Sequence, residues 1–380
     1  MTLDALPAEV LNRIIKFTLP PEVARSGDVD NEHSHPFATS VRRCPRAQVA
    51  GSLSPVCKSL YHATAPVIWE HVIIDSTRRL AAVAGAIEDH PHLGNFTRRL
   101  EVRVPSRYSL RKLISMVKAM HGLKTFIVGQ LGPTNLSPPP LPTVLIKTLV
   151  ATSQTIERLQ FSGRGEAPTL KHMSLINRSF SQLRCLQFNH LAIQSGEAMP
   201  TTNHFIFSQL TTLSIGDRDR VSQTHQLDRF LRKVRHANAL PSLCRFDVFS
   251  DSPLLPFFFL VHGHKIEHLS YSTDSHYMLK APYLLDHCKK VETLTIAANW
   301  LSADLRPSNN PFPPFTLIRR INIIRHDYKT TWDCADLVLG FILIRQWAFL
   351  KCVYLDPQGL LINLNDFHFN PPFSGVRQIG

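Results

Sequence analysis

The stretch that decides the fold of this chain is LRCLQF, at residues 183–188. Leu183 is followed by two spacer residues, and Leu186 and Phe188 then alternate with a polar residue, as on a short β-strand that buries one face. The same pattern recurs as LKTFIV (123–128), IERLQF (156–161), LTTLSI (210–215), LCRFDV (243–248), IEHLSY (266–271), VETLTI (291–296), IRRINI (318–323) and LKCVYL (350–355), with a looser copy, RRLEV, at 98–102. This repetition predicts an array of equivalent units.

The spacing of the copies predicts the kind of array. Their central apolar residues lie at positions 100, 126, 159, 186, 213, 246, 269, 294, 321 and 353, which are 23 to 33 residues apart. Most of these intervals fall within the period of leucine-rich repeats, and helical patterns at 108–120, 225–237 and 334–347 lie between copies. We therefore predict an α/β solenoid of about ten repeats over residues 75–380, with parallel strands on the concave face and helices on the convex face. The alternative is an ordinary α/β domain, in which one hexad would not recur ten times.

The residues that flank each central apolar position are expected to face solvent on the concave side of the sheet, where solenoids bind their partners. Arginine is common among them and pairs well with carboxylate or phosphate, so the expected target is acidic or phosphorylated. The predicted target-binding residues are Arg99, Glu101, Arg103, Arg158, Gln160, Gln187, Arg245, Asp247, His268, Arg320, Asn322 and Tyr354.

A different unit is predicted over residues 1–74. LPAEVLNRIIKFTL (6–19) has the pattern of an amphipathic helix that begins near Pro7. A polar insertion follows at about 21–51, and a second helix is predicted from Ser54 and Pro55 until Pro66, before a strand-like HVII. Without the insertion this unit has too few residues to bury its apolar side by itself, so we expect another surface to cover it.

These residues resemble an F-box. Leu6, Pro7, Glu9, Val10, Leu11, Ile14 and Ile15 match the first half of that motif, and Val56, Cys57, Lys58, Tyr61, Pro66 and Trp69 match the second half. The resemblance implies docking on a Skp-type adaptor protein, and through it on a cullin and a ubiquitin-conjugating enzyme. The docking residues it implies are Leu6, Pro7, Val10, Leu11, Ile14, Ile15, Val56, Cys57, Leu60 and Trp69. The alternative is that residues 6–19 only cap the core of the next domain.

Composition restricts the partners and the cellular compartment that we expect for the protein. The formal net charge is +13, but the basic residues are dispersed along the chain, which favours a diffusely basic surface over a dedicated nucleic-acid site. Seven cysteines without CxxC spacing predict reduced thiols and no structural zinc, in the cytoplasm or nucleus. The start of the chain lacks the pattern of a signal peptide. The apolar runs at 253–261 and 337–344 are shorter than the roughly 20 residues that span a bilayer, so we expect buried helices and no membrane.

We find no phosphate-binding, dinucleotide-binding, serine-hydrolase or zinc-protease motif. The pair His262 and His264 is expected on the surface, and Pro138-Pro139-Pro140 in a loop between repeats. The sequence therefore predicts a protein without catalytic residues, cofactor or metal, which recruits targets for a Skp–cullin–F-box type ubiquitin ligase. The alternatives are a repeat scaffold that does not dock on such a ligase and, with less support, a nucleic-acid-binding protein.

Overall fold

The structure is a computed structural model. It describes residues 10–11, 13, 51–52, 57–104, 108–130, 139–163, 166–193, 204–216, 225–250, 252–272, 287–298, 319–325, 352–356 and 360–363. α-Helices and strands alternate along the chain over residues 58–188 and again over residues 212–272. The helices are α1 (Lys58–Glu70), α2 (Thr77–Asp89), α3 (Leu110–Lys118), α4 (Thr143–Thr152), α5 (Leu170–Ser179), α6 (His225–Lys233) and α7 (Leu255–His262), with short 3-10 segments at Pro91–Phe96 and Gly263–Lys265.

All of the described strands belong to a single sheet, in which they follow one another in sequence order. They are β1 (His71–Ile74), β2 (Arg99–Val102), β3 (Thr125–Gln130), β4 (Arg158–Gly163), β5 (Cys185–Phe188), β6 (Thr212–Ile215), β7 (Arg245–Val248), β8 (His268–Ser272), β9 (Thr293–Ala298), β10 (Arg320–Arg325), β11 (Cys352–Asp356) and β12 (Leu360–Asn363). Strands β1 to β11 pair in parallel. This α/β architecture is compatible with a solenoid-like repeat.

The register confirms the predicted strand positions. Leu100 pairs with Phe126, Phe126 with Leu159, and so on through every central apolar position to Val353. Val72 on β1 pairs with Leu100 and extends this row by one strand, so the sheet begins before the expected start of the array at residue 75. Strand β12 was not predicted. It is antiparallel to β11 because the three residues that join them are far too few for a parallel crossover.

The helices pack on the face of the sheet that carries this apolar row. Helix α3 covers most of the predicted 108–120 segment, and Leu113, Met116 and Val117 of this helix are buried in the main core with Leu100 and Phe126. Helix α6 begins at residue 225 as predicted, and α7 lies in the predicted 253–261 run. Only one side of α7 is buried, since Phe257 and Leu260 are more than half exposed. The helix predicted at 334–347 lies outside the described residues.

The prediction that Pro66 ends its helix is wrong. Helix α1 runs through Pro66 to Glu70, because the residues beyond the proline, Val67 and Ile68, pack on Leu60 and so hold the chain in the helix. This contact offsets the backbone hydrogen bond that proline cannot make. The helix begins at Lys58, after the N-cap Cys57; the predicted cap Ser54 and Pro55 lie outside the described residues.

Candidate functional site

The face of the sheet opposite the helices, here called the polar face, carries the predicted target-binding residues in two adjacent rows. Side chains alternate along a strand, so residues two apart share this face. One row holds Arg99, Arg158, Arg245, His268 and Arg320, in register with His71, Thr125, Cys185, Thr212 and Thr293. The other holds Glu101, Gln160, Gln187, Asp247, Asn322 and Tyr354, in register with Ile73, Ile127, Ser214, Ser270 and Thr295. Arg103 directly follows β2.

The expectation that this face is fully solvated is wrong for several of its residues. Glu101 is 1% exposed, Asp247 0%, Gln160 5% and Arg245 7%. Neighbouring strands lie only about 4.8 Å apart, so each side chain of an inner strand has a partner on either side. These polar side chains therefore shield one another from solvent, and only other residues of the polar face keep their solvent exposure.

Arg99, Arg158 and Arg245 of the first row each reach the acceptor two residues further along the same strand. Arg99 Nε donates to Glu101 Oε1 over 2.7 Å, and Arg158 Nη2 donates to Gln160 Oε1 over 3.3 Å. Arg245 Nε lies 3.3 Å from both carboxylate oxygens of Asp247. These guanidinium groups therefore already have partners within the chain, because the period of the strand places donor and acceptor on one face.

The carboxylate of Glu101 is the most strongly held group on the polar face. His71 Nε2 lies 2.7 Å from Glu101 Oε1, and the guanidinium of Arg103 contacts Oε2. Burial by itself would raise the pKa of Glu101, but the hydrogen bond from His71 and the charges of Arg99, His71 and Arg103 outweigh it. The pKa of Glu101 is consequently held well below its usual range, and the group is an anion at neutral pH.

A second network lies further along the sheet. Ser270 Oγ on β8 donates to Asp247 Oδ1 on β7, beside the contact from Arg245. Between the two networks, Gln160 Nε2 donates to Ser162 Oγ over 3.0 Å. These bonds stabilise the sheet from its polar side. The parts of the face that remain accessible belong to His71 and Arg99, whose side chains are 25% exposed, to Arg103 at 19%, to the half-buried Gln187 and His268, and to the exposed Arg320.

Three of the docking residues implied by the resemblance, Leu11, Cys57 and Leu60, lie in a small cluster within the chain, where the two leucines are buried and not exposed as a docking surface would require. Leu11 and Leu60 are buried together, with Cys57, Ala63, Val67 and Ile68 partly buried around them; we call this set the N-terminal cluster. Val10 beside it is 40% exposed and Tyr61 is 42% exposed. Trp69 packs instead on the main core under the sheet. Leu6, Pro7, Ile14, Ile15 and Val56 lie outside the described residues.

Sequence reasoning missed His71, a partner of Glu101, and it placed Ser270 on this face of the sheet without its contact to Asp247. Alignment of β1 with β2 places His71 at the position of Arg99. The strand pattern could therefore have identified His71 as a residue of the polar face. Ser270 occupies the register position next to Asp247, but a serine gives no signal without knowledge of the strand order. Among the described residues, no group of three or more His, Cys, Asp or Glu side chains could hold a metal ion.

No protein-family model matches this chain, and no curated protein matches it either. Nineteen chains of solved structures do match. One of them is the crystal structure of a protein from Bacteroides fragilis, with 13% sequence identity, a TM-score of 0.39, and coverage of 73% of this chain and 82% of that one. Among the helices in the described part of the chain, none has the length and apolar character needed to cross a membrane.

Proposed function

We propose that this protein is a substrate-recognition adaptor of a Skp–cullin–F-box type ubiquitin ligase. Its N-terminal helices would dock on a Skp-type adaptor protein, and its repeat array would hold a target protein. Such an adaptor needs no catalytic residue, since it acts by raising the concentration of the target near the transfer site. The proposal is supported by the F-box-like residues at both ends of the N-terminal unit and by the sheet of stacked strands behind them.

The observation that carries the proposal is the packing of Leu11 on Leu60. These two leucines come from the two halves of the F-box-like pattern, which are separated in sequence by the polar insertion at about 21–51. Their contact supports the idea that the halves form one unit despite that insertion. Val10 and Tyr61 remain exposed on this unit, and in the proposal they belong to the surface that the Skp-type adaptor would cover.

The connection between the N-terminal unit and the sheet also favours an adaptor. Helix α1 carries Leu60 in the N-terminal cluster and Trp69 against the main core, and β1 begins at the residue after α1 ends. One helix therefore contacts both parts without a flexible linker. A short, stiff connection keeps a bound target at a fixed distance from a bound ligase, which is the condition for a high effective concentration.

We infer that the target binds the accessible end of the polar face, around His71, Arg99 and Arg103. Arg245 and Asp247 are buried with each other, so they would contribute to folding more than to binding. The accessible side chains at the first two strands carry two permanent positive charges against the single carboxylate of Glu101. This excess of positive charge suits an acidic or phosphorylated segment.

The docking half of the proposal is tested by capture of the full chain on an immobilised Skp-type adaptor. Val10→Asp places a charge on the exposed apolar surface and should abolish capture while the chain stays folded. Val144→Asp is the matched control, because Val144 is 47% exposed on α4, outside the N-terminal unit. Leu11→Asp is a poorer test, since Leu11 is buried and its loss would disrupt the N-terminal cluster.

Two results would contradict the ligase assignment. The first is failure of the intact, folded chain to be captured, and the second is capture that Val10→Asp leaves unchanged. Either would favour the alternative of a repeat scaffold that does not dock on a ligase. Binding to nucleic acid has less support, because the arginines at the centre of the polar face are already engaged by Gln160 and Asp247.

A further inference from the structure

We propose that the outer sides of α5, α6 and α7 bind the surface of an anionic lipid bilayer, without crossing it. The side chains that would contact the lipid are here called the basic–apolar surface and are Arg178, Ile206, Arg229, Arg232, Phe257 and Leu260. This surface lies on the helix side of the sheet, opposite the polar face, and several repeats away from the N-terminal cluster. Binding to lipid is therefore independent of the function proposed above.

The period of α6 divides this helix into a buried side and a cationic side. Leu227, Phe230 and Leu231 are buried in the main core. With about 3.6 residues per turn, Arg229 and Arg232 lie on the opposite side, and both are exposed. The arginines of α6 therefore point away from the sheet.

Helix α7 is divided in the same way, but its outer side is apolar. Leu255, Phe258 and Phe259 are buried in the main core. Phe257 is 63% exposed and Leu260 is 57% exposed, and these two residues lie on the side opposite the core. They contribute little to the core, and they protrude from the outermost line of the helix.

Hydrogen bonds near both ends hold α6 and α7 side by side. Ser252 Oγ, three residues before α7, donates to Asp228 Oδ1 of α6 over 2.5 Å. His262 Nε2, in the last residue of α7, donates to Val234 O, directly after α6, over 2.8 Å. Two adjacent helices that pack on one sheet turn their outer sides in the same direction. The arginines of α6 and the apolar side chains of α7 therefore belong to one surface.

The end of α5 joins this surface through the segment that carries Ile206. Asn177 Oδ1 accepts a hydrogen bond from Ile206 N over 2.8 Å, and Phe205 N donates to Lys233 O of α6 over 3.1 Å. Arg178 follows Asn177 and is exposed, and Ile206 is 57% exposed. A third arginine and a third apolar side chain thus extend the surface toward α5.

The positive charge of the surface is not balanced by carboxylates. Helices α5 and α6 contain one carboxylate, Asp228, which accepts from Ser252, and α7 has no aspartate or glutamate. In the part of the chain that the structure describes, Arg178, Arg229 and Arg232 form no ion pair. Their guanidinium groups are therefore available to lipid phosphate and carboxylate groups.

Arginines mixed with protruding apolar side chains suit a bilayer better than other anionic partners. At a bilayer surface the arginines stay at the level of the headgroups, while Phe257 and Leu260 enter the boundary of the acyl chains. Nucleic acid would engage the arginines through its phosphates and would leave the apolar side chains uncovered. A folded protein would need cavities that match these side chains, whereas fluid lipid adapts to them.

Cosedimentation of the full-length chain with vesicles tests the proposal. We expect binding to vesicles of phosphatidylcholine with phosphatidylserine, little binding to phosphatidylcholine alone, and weaker binding as salt is raised. Arg229→Glu with Arg232→Glu should lower the affinity at least about tenfold, because two attractive charges become repulsive. Phe257→Ser with Leu260→Ser should lower it several-fold, because no apolar side chain of α7 then enters the lipid.

The matched controls make the same changes elsewhere on the helix side of the sheet. Arg78→Glu with Arg111→Glu alters the net charge equally at exposed positions of α2 and α3, and Val144→Ser removes an exposed apolar side chain from α4. Both should bind vesicles nearly as the wild type does. All substituted positions are exposed, so the thermal unfolding midpoints should stay close to that of the wild type.

Four results would overturn the inference. They are no binding of the intact chain to the anionic vesicles, equal binding to vesicles without phosphatidylserine, an equal loss in the Arg78 and Arg111 control, and retention by duplex DNA or RNA in place of vesicles. Loss of vesicle binding in the α6 and α7 variants alone supports it. Capture on a Skp-type adaptor should be the same in all of these variants, which separates this test from that of the proposed function.

Discussion

At Glu101 the polar face of the sheet behaves as part of the protein interior. The carboxylate has lost nearly all contact with water and is held by His71, Arg99 and Arg103, which keep its pKa low. Removing one member of a buried ion pair usually costs several kcal/mol, because the remaining charges lose their compensation. Here the cations keep part of their exposure and can turn toward water, which reduces that cost.

We therefore predict that Glu101→Gln lowers the free energy of unfolding at pH 7 by about 2–3 kcal/mol. The amide preserves the size of the side chain but removes the charge that pairs with Arg99 and Arg103 and accepts the hydrogen bond from His71. Because the pKa of Glu101 is lowered on folding, its contribution is complete above the unfolded value of about 4 and is lost gradually as the pH falls through the folded value, which lies well below the usual range. Urea denaturation at pH 7 and at pH 3 measures both effects, and the difference between the two proteins should be smaller at pH 3 than at pH 7 without disappearing.

The matched control is Glu157→Gln. Glu157 Oε1 accepts from Lys124 Nζ over 2.8 Å, and both side chains are 40% exposed or more. A surface pair of this kind contributes well under about 1 kcal/mol, so this variant should unfold nearly as the wild type does. Equal losses in the two variants would show that Glu101 is not the buried anchor described above.

His262 was expected on the surface, and that expectation is wrong. Its side chain is buried in α7, its Nε2 donates to Val234 O over 2.8 Å, and Lys265 Nζ lies 3.4 Å from Nδ1. The single glycine between His262 and His264 suggested a loop, but the preceding residues form a helix whose inner side includes His262. Burial, which outweighs the effect of the bond to Val234, lowers the pKa of His262 to about 4.

This lowered pKa predicts a loss of stability in mild acid. Between the unfolded value of about 6.5 and the folded value of about 4, the unfolded chain binds a proton at this position and the folded chain does not. The stability due to His262 is therefore complete above about pH 6.5 and declines as the pH falls, by about 3 kcal/mol near pH 4. In His262→Gln, which keeps a donor but cannot titrate, the free energy of unfolding should fall less steeply over that range.

The matched control is His264→Gln, since His264 is exposed and two residues away. Replacing this exposed side chain should change the free energy of unfolding by less than about 0.5 kcal/mol at pH 7. If the wild type and His262→Gln differ by a constant amount from pH 7 to pH 4, His262 is not neutral and buried as described.

At the scale of elements, helix α1 shows where local sequence rules fail. Pro66 lacks the N–H that would bond to the preceding turn, and in an isolated peptide it would end the helix. In the protein, Leu60 on one side of Pro66 and Ile68 on the other pack in the same N-terminal cluster, and Trp69 reaches the main core. The contacts of these apolar side chains outweigh the lost hydrogen bond.

We predict that Pro66→Ala stabilises the protein by about 1 kcal/mol. Alanine restores the backbone donor inside the helix and has the highest helix propensity, although the gain is reduced because the unfolded chain also becomes more flexible. Pro66 is exposed, so no packing is lost. Thermal unfolding of the variant measures the gain, with Pro91→Ala as the control, because Pro91 is exposed at the first turn of a 3-10 segment, where proline is well suited. A lower midpoint in Pro66→Ala would contradict this account.

The strands were predictable from sequence and the state of the polar face was not. A strand of this array has one apolar row, so its period fixes both its position and its register with the next strand, from Leu100 to Val353. The burial of Glu101 and Asp247 depends instead on side chains of the adjacent strands. His71 on β1 contacts Glu101, and Ser270 on β8 contacts Asp247. In the N-terminal unit, Leu11 and Leu60 were predicted from a resemblance as residues of a docking surface; their burial against each other was not predicted, because no period of the sequence links the two segments.

On the scale of the whole molecule, the order of the sheet determines how stability is distributed. Each described strand pairs only with the strands before and after it in sequence, and α2 packs on α3, α3 on α4 and α4 on α5. One hydrogen bond skips a repeat, since Tyr108 Oη donates to Glu166 Oε2 over 2.7 Å. In such an array the stability of a repeat depends on the packing inside it and on its interfaces with the two adjacent repeats. A packing defect therefore destabilises the adjacent repeats before the distant ones.

We therefore predict that a cavity in one strand weakens its neighbours first. Leu186 on β5 is completely buried, and Leu186→Ala should cost about 2–5 kcal/mol. Amide hydrogen exchange followed by mass spectrometry should show faster exchange in β4, β5 and β6, with little change in β1 and β2. Leu100→Ala on β2, which is equally buried, should give the reverse distribution, with faster exchange in β1 to β3. If either variant instead speeds exchange equally from β1 to β9, the sheet unfolds as one unit, and binding at one end would then be coupled to every repeat of the array.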